Sequence, residues 1–409
     1  APGLMRSWKK PLDWTNEAGD RAGWPGLRAE LEQHGPDWAV LRAALKRPDY
    51  HFPFAYTNGF FDLPQDVAPL MQAARWLLAA GAQAVHEGRT EEAVSSTEDL
   101  LRLVRHQRRQ NLLIGQMARS AAVTHAFTLT AHLVFEGAAT EEQLGRLQAE
   151  WNQVEPLSAL GPTLRLERVI AEQHQRIVLT NRARQLEALE WSEESREIFG
   201  EQAPSEASLW LKRHLQLPLW RFLWTDHDAA RALRRWNRLI KASDAAVAAS
   251  WTDEAYALYA CDVANGSLEV EGYSEVPRPR WLDRLRCLYS TGGASLAPDS
   301  SYVEKFFRME VMRNLSIAAI AAARFRLAKG EWPGNLEDLV PDFLPAVPRD
   351  PMDGENLRLR PTRQGPMIYS VGRDGQDQGG NPRGDDEDGP GRAWFSGRDW
   401  VCPRIEPAE

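Results

Sequence analysis

Carboxylates set among glycines are the residues of this sequence whose type and spacing most readily do chemistry. Asp374 and Asp377 fall in a glycine-rich stretch, and Gly384-Asp385-Asp386-Glu387-Asp388-Gly389 follows shortly after. No matching cluster of Lys or Arg accompanies them, so crowded carboxylates repel unless a cation joins them. A hard ion such as calcium, which takes about six to eight oxygen ligands, is the matching chemistry. The competing reading is a solvated acidic loop, the usual fate of a run of like charge.

Other chemistry-bearing residues are more scattered. His125 and His132 lie seven apart on one helical face, but no carboxylate or Cys at ligand spacing joins them, and His-Glu-x-x-His does not occur. Core or interface histidines are the expectation. Glu167 interrupts an apolar helix between Arg165 and Arg168, and an ion pair within the bundle is expected for it, because buried charges persist mainly when paired. Arg231, Arg234, Arg235, Arg238 and Lys241 give one basic face, and Arg102, Arg105 and Arg109 another. Each is read as a solvated face, with an anionic docking surface as the alternative. Sixteen Trp residues can be absorbed by core packing, although Trp220, Trp224 and Trp236 gather beside the first basic face. Gly-x-Ser-x-Gly, Walker-type and dinucleotide-binding loops are absent from the sequence. The pattern leans away from an enzyme.

These residues must be positioned by a mainly α-helical chain. From Asp66, apolar positions Ala74, Leu77, Leu78, Gly81 and Val85 recur on one stripe, which predicts an amphipathic helix stopping at Gly88. Thr90 is expected to cap a second helix carrying Ala93, Leu100, Leu101 and Val104, giving an antiparallel hairpin. The pair looks like one tetratricopeptide-type unit, without the recurrence of about 34 residues that an array requires. A third helix is expected from Gln110 to Phe135, and Thr140-Glu141-Glu142-Gln143 has the form of a capping box for the next. Gly161-Pro162 is read as a break, followed by helices from Thr163 to about Trp191 and from Asp226 to Ser250. Asn265 to Pro279 reads as a loop. Tyr302 to Lys329 forms a long helix whose apolar stretch, Leu315 to Ala323, must be buried on more than one side, between the helical body and the tail.

At 409 residues, with 43% hydrophobic and 26% charged residues, the chain has core material for more than one domain. The expected division is an irregular Trp/Pro-rich wrap over 1–65, an all-helical bundle or irregular hairpin array over 66–314, and a small α+β module over 315–409. A net charge of -8 disfavours nucleic acid as a partner. The uncharged stretch Ser120 to Phe135 is too short and polar to span a bilayer, and the opening Ala1-Pro2-Gly3-Leu4 is what a chain that has lost a signal or anchor would look like. Cys261, Cys287 and Cys402 form no Cys-x-x-Cys pair, and whether Cys261 and Cys287 are bridged stays open.

The last residues carry the most specific pattern. Arg326-Leu327-Ala328-Lys329-Gly330-Glu331-Trp332-Pro333 ends the long helix, and Asn335 is placed to cap a short helix from Leu336 to Val340. Pro348-Arg349-Asp350-Pro351, strand-like Leu357 to Arg360, a Gln364-Gly365 turn and Tyr369-Ser370-Val371-Gly372-Arg373-Asp374-Gly375 follow. This order resembles the globular domain of a type II secretion major pseudopilin, over Ala318 to about Pro403. The whole layout looks like large helical envelope proteins with pseudopilin-like tails. The helix equivalent to the family's amino-terminal filament helix is internal here and follows a long helical region.

The resemblance implies a calcium-binding loop after the strand pair. Asp374 matches the family's Asp-Gly, Asp377 falls just behind it, and the closing acid is Asp385 or Asp386, or else Asp399 before Trp400-Val401 if 381–397 is an insertion. It also implies a periplasmic or envelope-associated location. The functional expectation is a noncatalytic extracytoplasmic structural or protein-interaction subunit with protein partners. The alternatives are an envelope hydrolase with acidic residues in a Trp-lined groove, and an accessory subunit of a membrane complex.

Overall fold

A computed structural model of the chain describes residues 23–47, 56–61, 67–135, 139–181, 225–263, 300–362, 365–381 and 399–402, with isolated positions between 184 and 218. The described chain is mainly α-helical with one small sheet. Helices α1 (Gly23–Gln33) and α2 (Gly35–Leu45) come from the expected wrap, and Leu27 and Leu45 bury their side chains. Helices α3 (Val67–His86), α4 (Thr90–Gln107) and α5 (Leu113–Phe135) pack mutually. Gly88 has φ +70°, a left-handed conformation that closes α3 through a bond from the Arg89 amide to the Ala84 carbonyl. The cap of α4 is Arg89 rather than Thr90, which already lies inside the helix. Where α3 crosses α5, a Cβ on Gly81 would stand 2.4 Å from Leu129 Cδ1, so the missing side chain sets the approach of the two helices.

Helix α6 (Glu141–Asn152) opens with the predicted capping box. The Thr140 hydroxyl accepts the Gln143 amide, and the Gln143 side chain accepts the Thr140 amide. Helix α7 (Leu157–Thr180) corrects the expected break, because it runs straight through Gly161 and Pro162. Proline removes one amide and crowds the carbonyl four residues back. Ser158, Ala159 and Pro162 line a cavity, so the interrupted turn lies at a wetted edge rather than in a dry core. Helices α8 (Thr225–Ala248) and α9 (Trp251–Val263) follow, with α8 packed on α7 and α9. The residues expected to form the Asn265 to Pro279 loop, together with Cys287, Trp220 and Trp224, lie outside the described residues.

Helix α10 (Ser300–Lys329) is the longest of the described helices. Every residue from Leu315 to Ala323 is buried, with α5 and α6 packed on the helix as well as the sheet. It crosses position 315 without interruption. Gly330, at φ +83°, ends it, with its amide bonded to the Arg326 carbonyl. The expected short helix after Asn335 tightens to a single 3-10 turn, Glu337–Leu339. Its N-cap is Leu336 rather than the expected Asn335, whose side chain accepts the Asp338 amide from one residue further back.

Strands β1 (Arg358–Thr362), β2 (Gly365–Ser370) and β3 (Trp400–Cys402) form an antiparallel sheet in the order β1-β2-β3. The third strand joins the expected hairpin because Trp400, Val401 and Cys402 are all buried beside β2. One continuous hydrophobic core runs from Leu45 through the helices to Ile368 and Cys402, with Trp76, Trp151, Trp236, Trp251 and Trp400 wholly enclosed. These indoles fill the core instead of lining a groove. No helix among the described residues is long and apolar enough to cross a membrane.

Candidate functional site

The proline-bracketed segment ahead of the sheet is built around one buried carboxylate. Asp350 accepts the amides of Met352 at 3.0 Å and Val371 at 2.9 Å, the Ser370 hydroxyl at 2.8 Å and the Arg358 guanidinium at 3.3 Å. Burial dominates over these bonds and raises its pKa to about 6. The same segment serves the helices. The carbonyls of Pro351 and Met352 accept the first amides of α9, those of Trp251 and Thr252, while Asn314 of α10 donates to the Arg349 carbonyl at 2.8 Å. Orphan amides of a helix start are thereby satisfied from the C-terminal module.

The loop after β2 carries two of the five sequence-predicted carboxylates, Asp374 and Asp377, and its backbone meets a third, Asp399, at the start of β3. Asp374 accepts the Gln376 amide at 3.1 Å and the Gln378 side-chain amide at 2.8 Å. Asp377 accepts the Gly379 amide at 2.8 Å and the Tyr369 hydroxyl at 3.1 Å, and lies 3.6 Å from Arg358. Asp399, buried at the start of β3, accepts the amides of Gly380 at 2.7 Å and Asn381 at 3.0 Å, with that of Gln378 at 3.5 Å. Burial pushes the Asp399 carboxyl up and the amides pull it back. Tyr369 is raised to about 12 by burial and then by the neighbouring Asp377 charge. Asp385 and Asp386 lie outside the described residues.

The donors in this turn are all oxygen, which suits calcium by type. Gln378 Oε1 adds to them: it is buried and has no hydrogen-bond partner among the described residues. Among those residues, however, no three of His, Cys, Asp or Glu gather closely enough to hold a metal ion. Carboxylates alone therefore do not complete a coordination shell in the described part of the loop. Gln378 and Asp350 were absent from the expected site, although an Asp between two prolines ahead of a hairpin is a signal that could have drawn attention to the second.

The remaining candidates are structural. Glu167 does not pair with its sequence neighbours, because residues one or two apart on a helix do not face each other. Its Oε1 accepts the Leu113 amide at 2.6 Å, at the start of α5, and burial raises its pKa to about 7. Arg165 bonds Asp244 at 2.5 Å, and Arg168 bonds Asn237 at 2.6 Å. His125 is lowered to about 4, first by burial and then by Arg75. Arg119, fully buried, donates to the Val104 carbonyl at 3.0 Å and to Gln116 at 3.3 Å. Cys261 donates its thiol to the Ala257 carbonyl, and burial lifts the Cys402 thiol to about 12. Comparison of the chain with protein-family models, with curated proteins and with solved structures finds no match.

Proposed function

We propose that this chain is a noncatalytic, extracytoplasmic structural or protein-interaction subunit whose C-terminal end is a pseudopilin-like head fixed rigidly to a helical body. The observation that carries the reading is the use made of Asp350. A carboxylate with a raised pKa in a cleft would be a candidate acid or base. Here it ties β2, the proline-bracketed segment and Arg358 together, in a segment that also supplies the first amides of α9 with acceptors. Asp399 and Glu167 likewise accept backbone amides. These buried acids thus hold the scaffold, which favours a rigid binding body over a reaction centre.

Two features support the pseudopilin-like part. A long helix ends at Gly330, and an antiparallel sheet follows it. The Asp374-Gly375 turn comes directly after the central strand. Calcium belongs to the proposal as a brace. Asp374, Asp377 and Gln378 Oε1 would supply oxygen ligands, with Asp385 or Asp386 as the closing acid and Asp399 ordering the amides behind them. Bound there, a divalent cation would offset repulsion between the carboxylates.

The test is thermal unfolding of the full chain with calcium and with chelator, paired with affinity capture from native membranes. Calcium is expected to raise the midpoint, and Asp374→Ala to abolish the rise. Melting curves that coincide with and without chelator would remove the brace. Hydrolysis of an envelope polymer by the purified chain, with no protein captured, would overturn the noncatalytic reading.

A further inference from the structure

A second site lies among the helices of the body. The C-terminal end of α2, the second half of α4, the end of α6 and the first turns of α7 enclose a cavity of about 1090 Å³. Six cationic side chains line it: Lys46, Arg47, Arg102, Arg105, Arg108 and Arg109. No carboxylate occurs among its described lining residues. This concentration of charge is not explained by the chain as a whole, whose net charge is -8.

The carboxylates stand behind the lining and aim it. Asp99 holds Arg102 at 2.7 Å, Glu150 holds Arg105 at 3.1 Å, and Glu155 holds Arg108 at 2.7 Å. A guanidinium carries about five N–H donors in a planar fork. Arg105 and Arg108 each give part of the fork to one carboxylate and keep donors for a ligand, whereas Arg102 is shared among Glu98, Asp99 and Glu150 and is the most fully engaged of the three. Lys46 and Arg47 are exposed and pair with no carboxylate among the described residues. His106 donates from Nε2 to the Leu45 carbonyl at 2.9 Å, which pins the end of α2, and with it Lys46 and Arg47, against α4.

Cations near the end of α4 also offset its dipole, but that effect fades beyond the last turn. It does not account for Arg102, whereas Lys46 and Arg47 follow the C-terminus of α2 and offset the dipole of that helix. The first turn of α7 adds Ser158 and a helix dipole that favours anions, its Leu157 amide being already bonded to Glu310. Dipole compensation would spread the charges along the surface. Here the ends of two helices, α2 and α4, turn them toward one hollow.

We propose that this cavity binds a ligand carrying several phosphate groups. Its volume reaches the upper end of the range for small-molecule sites, about 300–1,000 Å³, far more than one simple anion fills. Arginine forks match the geometry of phosphate oxygens bidentately. The phosphates could belong to a soluble oligophosphate or to a phospholipid headgroup at a membrane surface. The site does not depend on the reading of the C-terminal module.

The experiment uses the full chain and inorganic tripolyphosphate, titrated calorimetrically at low salt. A second arm measures cosedimentation with phosphatidylcholine vesicles, with and without cardiolipin. Tripolyphosphate is expected to bind, and Lys46→Glu with Arg47→Glu to weaken it by at least about tenfold. Arg234→Glu on α8, an exposed cation elsewhere, should leave binding unchanged. Circular dichroism of each variant checks that the fold persists. Cosedimentation with cardiolipin vesicles that tripolyphosphate displaces, and that the double reversal abolishes, assigns the phosphates to lipid. Tripolyphosphate binding without cosedimentation assigns them to a soluble ligand. Binding unaffected by the double reversal, or no binding in either arm, overturns the proposal.

Discussion

Replacing Glu167 with Gln isolates the electrostatic load of a buried acid. In the folded chain this carboxyl titrates near 7, against an ordinary 4.5, because burial disfavours its charge more than the Leu113 amide favours it. Between those two values the folded state holds a proton that the unfolded chain has released. Stability contributed by Glu167 is therefore complete below pH 4.5 and is lost as pH rises through 7. The difference of about 2.5 units corresponds to roughly 3 kcal/mol. Gln keeps an oxygen for the Leu113 amide but carries no titrating group. Urea unfolding of both proteins from pH 4 to 8 should give similar stabilities at the acid end. Toward pH 8, Glu167→Gln should become the more stable by up to about 3 kcal/mol. Glu167→Ala, which leaves that amide bare, should instead lose roughly 1–3 kcal/mol at acid pH. Parallel stability curves for wild type and Glu167→Gln would refute the reasoning.

Four further outcomes follow from contacts described above. Asp350→Ala should destabilise the chain by at least roughly 1–3 kcal/mol in urea melts, since it leaves the Ser370 hydroxyl and two amides without their acceptor, while Arg358 keeps Asp353 and Asp377. Gly81→Ala should destabilise by about 1–3 kcal/mol, because the new methyl meets the enclosed Leu129. Gly145→Ala in α6 has nothing within 4 Å of the added Cβ, and should raise stability by roughly 0.5–1 kcal/mol. Thr140→Ala removes the capping hydroxyl of α6 and should lower the thermal midpoint by the equivalent of about 1 kcal/mol.

Helix boundaries marked by backbone chemistry were legible in the sequence. Gly88, Gly330 and Thr140-x-x-Gln143 end or begin helices as expected, because left-handed termini and reciprocal caps are local. Leu315 to Ala323 announced its own burial, since an apolar surface all round needs partners on every side. Pro162 misled because the penalty for proline depends on what surrounds the interrupted turn, and a cavity wall is a tertiary fact. Glu167 misled for the same reason: its partner, the Leu113 amide, is 54 residues away. The candidate loop was partly legible. Asp374, Asp377 and Asp399 meet around Gln378, yet most of the hydrogen bonds that engage them come from backbone amides, and those leave no trace in residue types. The basic cavity was seen only as the Arg102, Arg105 and Arg109 face, since nothing in the order of residues says that Lys46 and Arg47 arrive beside it.

Because α10 is one uninterrupted rod, it also acts as a mechanical strut. Tension applied at the strands would be delivered along its length to α5 and α6, with no hinge to absorb the load. Cutting the gene at codon 315 would therefore split a lever rather than free a module, and both fragments would expose half of the same apolar shaft.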